Sequence, residues 1–330
     1  MKKVAINGLG RIGRIILKEI IKEKNIKLVA VNDLCSNDEL AYLLKYDSVH
    51  GKYNKKITPL EDRIVVDGKS IKTFNIADAS ELPWGKLGID LVIECTGFYT
   101  KLEDAKKHIA AGAKHVIISA PGKGKMKTIV YGVNEKKLTG KEEVFSAASC
   151  TTNCLAPLLN VIDKKFTIEE GFISTIHAYT NDQKILDVSH KKVYTERRGR
   201  ASAINIIPTT TGAATAIGNV MPSLDGKLKG SAFRVPVMDG SLIDATLSLK
   251  EKVTKEQINE LYKTSQSDVL KITFDPIVSS DIIGNSCGCL VDGSLTDVIK
   301  NQVKLIAWYD NEYGYSMQMI RTIKKFLNLT

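Results

Sequence analysis

The stretch "KVAINGLGRIG", residues 3–13, sets Gly8, Gly10 and Gly13 in the pattern G-x-G-x-x-G, directly after a β-branched apolar run and directly before a helical pattern. Each glycine has a physical reason: the first turns the chain, the second lets backbone approach a pyrophosphate, and the third lets helix and strand pack closely. The N-terminus of the helix then offers backbone N–H groups to the phosphates. A second strand-like run, "KLVAVND", ends in Asn32 and Asp33, and Asp33 stands twenty residues beyond Gly13. A carboxylate there accepts hydrogen bonds from ribose hydroxyls and repels a 2′-phosphate, so the expected cofactor is NAD, with NADP less favoured.

Working outward, the runs "KVAIN", "KLVAVN", "DLVIEC", "HVIISA" and "TIVYGV" read as strands, with amphipathic segments such as "RIGRIILKEIIKEK" and "KLEDAKKHIAAGA" between several of them. This alternation predicts parallel strands joined by crossover helices. After Thr151 a helix is expected, with Leu155, Leu158, Ile162 and Phe166 on one face and Pro157 in its first turn. Beyond it the rhythm changes: "GFISTIHAYT", "LKGSAFRVPV", "SLIDATLSLK", "NSCGCLVDG" and "VKLIAWYD" are strand-like with fewer intervening helices. The expected fold class is therefore α/β: a doubly wound (Rossmann) dinucleotide-binding domain over 1–149, completed by the C-terminal helix 313–330, and an α+β catalytic domain over 150–312 with a mostly antiparallel sheet.

Forty-seven Lys and Arg against 37 Asp and Glu give a formal net charge of +10, which raises the question of nucleic acid. The basic residues are scattered and not interleaved with aromatics, so solvated helix faces are the better reading and nucleic acid is not expected as the primary partner. No apolar run of membrane-spanning length occurs, and six cysteines without a disulfide-rich pattern fit a reducing compartment. No membrane partner and a cytoplasmic location are expected.

The stretch "SAASCTTNCLAP", residues 146–157, places Cys150 four residues before Cys154. Cys150 falls at the start of the helix expected to open the second domain, where the helix dipole stabilises a thiolate. A free thiol has a pKa of about 8.5, so a nucleophilic role needs a positive end or an imidazole nearby. Five histidines are available: His50, His108, His115, His177 and His190. Of these His177, in "STIHAYTN", lies at a strand end beside polar residues, although a lone strand histidine is more often structural.

Taken together, "INGLGRIGR", "LLKYDSVHG", "ASCTTNCLAP", "IHAYTNDQ", "IIPTTTGAA", "GKLKG" with "AFRVP", and "WYDNEYGYS" resemble phosphorylating glyceraldehyde-3-phosphate dehydrogenases over essentially the whole chain. The resemblance implies oxidation of glyceraldehyde 3-phosphate with NAD and inorganic phosphate, Cys150 as nucleophile and His177 as base. It implies that Thr180 and Arg234 hold the substrate's phosphate. Ser149, Cys150, Thr151, Thr211 and Gly212, with Arg198 or next Arg200, would hold the attacking phosphate. For the cofactor it adds backbone at Arg11 and Ile12, the loops carrying Thr96, Gly97 and Ser119, Asn311 on the nicotinamide amide, and Tyr315 behind the ring. A homotetramer is implied, with contacts around residues 178–208.

With that resemblance, Cys154 is read as a buried apolar residue one turn along the helix. No metal is expected, because C-x-x-x-C lacks a second ligand pair and "CGC", Cys287 to Cys289, sits in an expected strand. The chain departs from the family pattern at Ala77-Asp78-Ala79, where Arg-Asp-Pro is usual, at Ala147 in place of asparagine, at "VMDGSLID", and at Ser189, where strict NAD enzymes often carry proline. The rival expectations are an erythrose-4-phosphate dehydrogenase, a non-phosphorylating aldehyde dehydrogenase, and a basic binding protein as a secondary role.

Overall fold

A computed structural model describes residues 1–190 and 195–330. They divide into two compact units: Met1–Ile129, Glu135–Ala148 and Met319–Thr330 form the first, and Val130–Asn134 with Ser149–Gln318 form the second.

The first unit is built on a nine-stranded sheet. Its parallel strands lie in the order Lys69–Phe74, Ile26–Asn32, Lys2–Asn7, Leu91–Glu94, His115–Ile118, Val144–Ser146. The order runs outward in both directions from the first strand of the chain. This is the doubly wound dinucleotide arrangement, whose ligand crevice opens at the carboxyl ends of the strands where the direction of winding reverses. The helix Arg11–Ile20 forms because Ile15, Ile16, Leu17 and Ile20 recur on one face, and that face is buried. The final helix, Tyr313–Leu327, ends in this unit: Phe326 packs its ring 4.6 Å from that of Phe145 and 4.9 Å from that of His115.

One expected strand is cut short. In "TIVYGV" only Thr128 is in a strand, Lys127–Thr128, which pairs in parallel with Val144–Ser146 at the edge of the sheet. Asn134 Oδ1 accepts from the Val130 N–H at 2.8 Å, Gly132 sits at φ +84°, and the chain turns here into the second unit. A side-chain acceptor and a left-handed glycine close a turn that β-branched composition alone conceals.

The second unit carries an eight-stranded mixed sheet. Ile168–Ala178 pairs in parallel with Leu228–Val235 and antiparallel with Ser241–Leu249, which pairs antiparallel with Gln302–Tyr309. The helix Cys150–Phe166 lies against these strands with Leu155, Leu158, Ile162 and Phe166 buried. It starts at Cys150 because the Ser149 hydroxyl accepts from the Thr152 N–H at 3.0 Å, an N-cap. Pro157 is therefore eight residues into the helix and not in its first turn, and it removes the bond that a 157 N–H would make to the Asn153 carbonyl. Cys287 also lies outside its expected strand, which begins at Cys289; both thiols are buried.

Close approach of backbone explains two glycines of the first motif. Gly8 has φ +91°, and a Cβ on it would come within 2.7 Å of the Thr96 amide nitrogen. A Cβ on Gly13 would be driven into the Gly8 carbonyl oxygen. Gly13→Ala is expected to destabilise the chain by about 2–3 kcal/mol through overpacking against backbone. A denaturant titration with an unchanged midpoint would contradict that account.

Candidate active site

At the carboxyl ends of the central strands of the first unit lies a cavity of about 540 Å³, lined among others by Asn7, Gly8, Gly10, Asn32, Asp33 and Thr96. Asp33 Oδ2 accepts from the Leu9 N–H at 2.5 Å and Oδ1 from the Cys35 N–H at 3.2 Å, so two backbone donors hold the carboxylate at the cavity wall. Gly10 caps the helix Arg11–Ile20 without a side-chain hydrogen bond, and a Cβ on it would meet nothing within 4 Å. The three glycines thus divide: Gly8 and Gly13 are needed by the fold, while Gly10 keeps a space open at a helix N-terminus. A pyrophosphate is the group such a cradle suits. Leu34, Ile76, Ala77, Phe98 and Tyr99 give the cavity an apolar wall.

Beneath this cavity runs a buried polar chain. The Trp84 indole N–H donates to His108 Nδ1 at 3.0 Å, which leaves the ring proton on Nε2 to donate to Glu94 Oε2 at 3.0 Å. Glu94 also accepts from Asn7 Nδ2 at 2.6 Å, from the Thr96 N–H at 2.7 Å and from the Thr96 hydroxyl. Asn32 Nδ2 donates in turn to Asn7 Oδ1 at 2.8 Å. Three cavity residues, Asn7, Asn32 and Thr96, are therefore held from below by one connected network. Sequence reading left Asn7, Glu94 and His108 out; the available signal was a Glu and an Asn each closing a buried strand.

In the second unit Cys150 opens its helix directly after Ala148, a non-glycine residue at φ +59°, and the Ser149 cap. A left-handed alanine two residues before a helix-opening thiol is backbone strain held by its surroundings. Cys150 Sγ lies 3.4 Å from His177 Nε2. His177 stands in register with Arg234 on the parallel neighbour strand, and Arg234 Nη1 is 2.8 Å from His177 Nδ1. The Ala178 carbonyl oxygen lies 2.7 Å from Nδ1 and accepts from Arg234 Nη1 at 2.9 Å. Below the thiol, the Thr175 hydroxyl donates to the Leu242 carbonyl at 3.2 Å. The Tyr309 hydroxyl, 2.9 Å from Thr175, must then donate to it, and Thr151, 3.0 Å away, donates to Tyr309.

The electrostatics follow from burial and one cation. Burial, the Arg234 guanidinium and, more weakly, Arg198 push the His177 pKa down to about 3, against the backbone hydrogen bond at Ala178. Burial raises the Cys150 thiol, while Arg234 and the Thr151 hydroxyl and amide act the other way and favour the thiolate. Arg234 is thus the charge that supports an anion at sulfur and opposes a cation at the imidazole.

Comparison with known proteins gives two family matches: the glyceraldehyde 3-phosphate dehydrogenase NAD binding domain over residues 2–102 and the C-terminal domain of the same enzyme over residues 149–311. The chain is 50% identical to the glyceraldehyde-3-phosphate dehydrogenases of Clostridium acetobutylicum and Clostridium pasteurianum, over 100% of this chain and 99% of each relative. It is 51% identical to that of Borreliella burgdorferi, over 98% of this chain and 99% of the relative. The chain belongs to the glyceraldehyde-3-phosphate dehydrogenase family.

The remaining residues singled out by resemblance to glyceraldehyde-3-phosphate dehydrogenases are placed unevenly. The Arg11 side chain turns to Asp47 at 2.8 Å, so only its backbone and that of Ile12 belong to the helix start. Gly97 has φ +75°, and Ser119 follows the strand His115–Ile118; neither borders the cavity. Arg198 pairs with Asp182 at 2.6 Å and its charge bears on both His177 and Arg234, whereas Arg200 is an exposed partner of Asp187. Thr180 sits in the loop after the His177 strand, its carbonyl accepting from the Gln183 N–H. Thr211 and Gly212 open the helix Ala213–Val220 and bond to none of Cys150, His177 and Arg234. Asn311 and Tyr315 are buried at and after the turn into the last helix. At the atypical Ala77-Asp78-Ala79, Ala77 lines the cavity and Asp78 caps a short turn and pairs with Lys107.

Two outcomes follow. Gly10→Ala keeps the wild-type melting temperature and weakens NAD binding about tenfold or more by filling the cradle, as read by titration calorimetry. Arg234→Met moves the pH dependence of Cys150 alkylation by iodoacetamide upward by about one unit, because a thiolate is favoured by a nearby cation and loses that support. An unmoved curve would place the controlling charge elsewhere.

Proposed function

We propose that the chain is a phosphorylating glyceraldehyde-3-phosphate dehydrogenase that converts D-glyceraldehyde 3-phosphate, NAD and inorganic phosphate to 1,3-bisphosphoglycerate and NADH. The observation that carries this reading is Cys150 Sγ at a helix N-terminus, 3.4 Å from an imidazole whose other nitrogen lies 2.7 Å from the Ala178 carbonyl oxygen and 2.8 Å from Arg234 Nη1. The Cys150 sulfur adds to the aldehyde carbon as its thiol proton passes to the carbonyl oxygen, giving a thiohemiacetal, and His177 Nε2 takes that hydroxyl proton as hydride leaves. Bound NAD supplies the acceptor for the hydride whose loss makes the thioester. Inorganic phosphate then attacks the thioester carbon, the C–S bond breaks, and the thiolate of Cys150 returns.

Nδ1 explains how His177 can serve. For Nε2 to accept a proton, Nδ1 must carry the ring hydrogen and donate it to the Ala178 carbonyl. Arg234 Nη1 lies 2.8 Å from the same Nδ1, and with the hydrogen on Nδ1 this contact is donor against donor, in the neutral tautomer as in imidazolium. A substrate phosphate that draws Arg234 to itself relieves that opposition, so binding the correct anion prepares the base. Thr180 shares that phosphate. Ser149, Thr151, Arg198, Thr211 and Gly212 receive the attacking one, with Arg198 preferred to Arg200 for its nearness to His177 and Arg234. Gly8, Gly10, Arg11, Ile12, Gly13, Asn32, Asp33, Thr96, Gly97 and Ser119 serve the dinucleotide, with Asn311 and Tyr315 at the nicotinamide.

The wider reading keeps an NAD-binding domain over 1–149 with 313–330 and a catalytic domain over 150–312. A homotetramer is supported by Ile185, Leu186, Val188, Ile204 and Ile206, exposed apolar side chains within 178–208; residues 191–194 of that segment lie outside the described residues. Six free thiols support a reducing, cytoplasmic setting, and among the described residues no helix is long and apolar enough to cross a membrane.

The initial rate of NADH formation from glyceraldehyde 3-phosphate is expected to require inorganic phosphate and to fall by about 10³-fold or more in Cys150→Ser. Turnover without phosphate would instead mark hydrolysis of the thioester, and a preference for erythrose 4-phosphate would mark the sibling activity.

A further inference from the structure

The strand Ser241–Leu249 runs between Ile168–Ala178 on one side and Gln302–Tyr309 on the other, with Ser241 in register with Tyr309. Its first hydroxyl therefore sits between the end of the His177 strand and the turn that carries Asn311. Ser241 Oγ accepts from the Ala178 N–H at 3.0 Å and lies 2.6 Å from Asn311 Oδ1. With one lone pair engaged by Ala178, the hydroxyl proton donates to Asn311, and the Asn311 atom facing it is the carbonyl oxygen. Ser241 and Asn311 are both buried, and Asn311 Nδ2 bonds to no group among the described residues.

We propose that Ser241 is a positioning residue for hydride transfer: its hydroxyl fixes the side-chain amide of Asn311 so that the Nδ2 hydrogens face the carboxamide oxygen of the nicotinamide. This rests on the assignment of Asn311 to that carboxamide in the proposed function. An asparagine free to turn by 180° would present an acceptor where a donor is needed, and a carboxamide oxygen facing it would be left unpaired. Ser241 disfavours that turn, because a turned amide would leave its hydroxyl proton without the Asn311 acceptor. The Ala178 peptide N–H fixes Ser241 in turn, while the carbonyl of the same residue lies against His177 Nδ1. One residue of a strand end thus anchors both the nicotinamide clamp and the base.

The test compares the full-length wild type with Ser241→Ala, Asn311→Ala and the double variant, reading KM for NAD and the face of the nicotinamide that receives deuterium from [1-²H]glyceraldehyde 3-phosphate. Each single variant is expected to raise KM for NAD about tenfold and to place a measurable fraction of deuterium on the opposite face. The double variant is expected to match the worse single, because Ser241 acts only through Asn311; general damage to the fold would multiply the two effects. If Asn311→Ala is impaired while Ser241→Ala keeps the wild-type KM, or if the two factors multiply, the role of Ser241 is overturned and that of Asn311 stands. If Asn311→Ala itself keeps the wild-type KM, the nicotinamide assignment fails first. Should Ser241→Ala not fold, Ser241→Cys, with its weaker donor, replaces it: a smaller KM rise with the same non-additivity supports the proposal, and a wild-type KM overturns it.

Discussion

The chemistry of the second unit hangs on one backbone carbonyl. Ala178 ends the strand Ile168–Ala178, and its oxygen faces both His177 Nδ1 and Arg234 Nη1. Parallel pairing fixes this, since it sets His177 level with Arg234 on the adjacent strand. A carbonyl oxygen has two lone pairs and can satisfy both donors, but the two nitrogens are then only 2.8 Å apart. Burial sharpens the conflict, because neither charge is screened by water and imidazolium is disfavoured next to guanidinium. The result is an imidazole kept neutral, with Nε2 turned to the Cys150 sulfur at 3.4 Å.

Around that carbonyl the remaining polar groups form two rails. On the side of the nucleophile, Thr151, Tyr309 and Thr175 pass a hydrogen bond down to the Leu242 carbonyl. On the other, the Ala178 N–H passes one through Ser241 to Asn311. Both rails pass through the start of the strand Ser241–Leu249, at Leu242 and at Ser241, so the sheet register carries the precision of the site. The first unit uses the same device: Trp84, His108, Glu94, Asn7 and Asn32 tie three strand ends into the floor of the dinucleotide cavity. Buried polar chains of this kind are costly unless every member is paired, and here the pairing is what holds the cavity-lining residues in place.

The departures from the family pattern become intelligible in the same terms. Where Arg-Asp-Pro is usual, Ala77 leaves an apolar wall at the cavity and Asp78 turns away to cap a short turn and to pair with Lys107. Any adenine contact here is apolar and not made by a guanidinium. Asp239, within "VMDGSLID", is a buried carboxyl raised to about 9 by burial and by Asp310, so it is held as a neutral acid close to the strand start at Ser241.

The sequence by itself determined the local features: three glycines after a strand and an acid twenty residues on decided the dinucleotide fold, and Cys150 stood out at a helix start, while His177 was singled out by the family resemblance of its motif. These were legible because each depends on backbone geometry or on neighbours within one element. Only the structure showed that "TIVYGV" leaves its strand after Thr128, where a left-handed Gly132 and an Asn134 acceptor outweigh β-branched composition. It alone paired His177 with Arg234 and brought Ser241 to Asn311, seventy residues on. Long-range register sets such contacts, and no local period in the chain encodes register between strands.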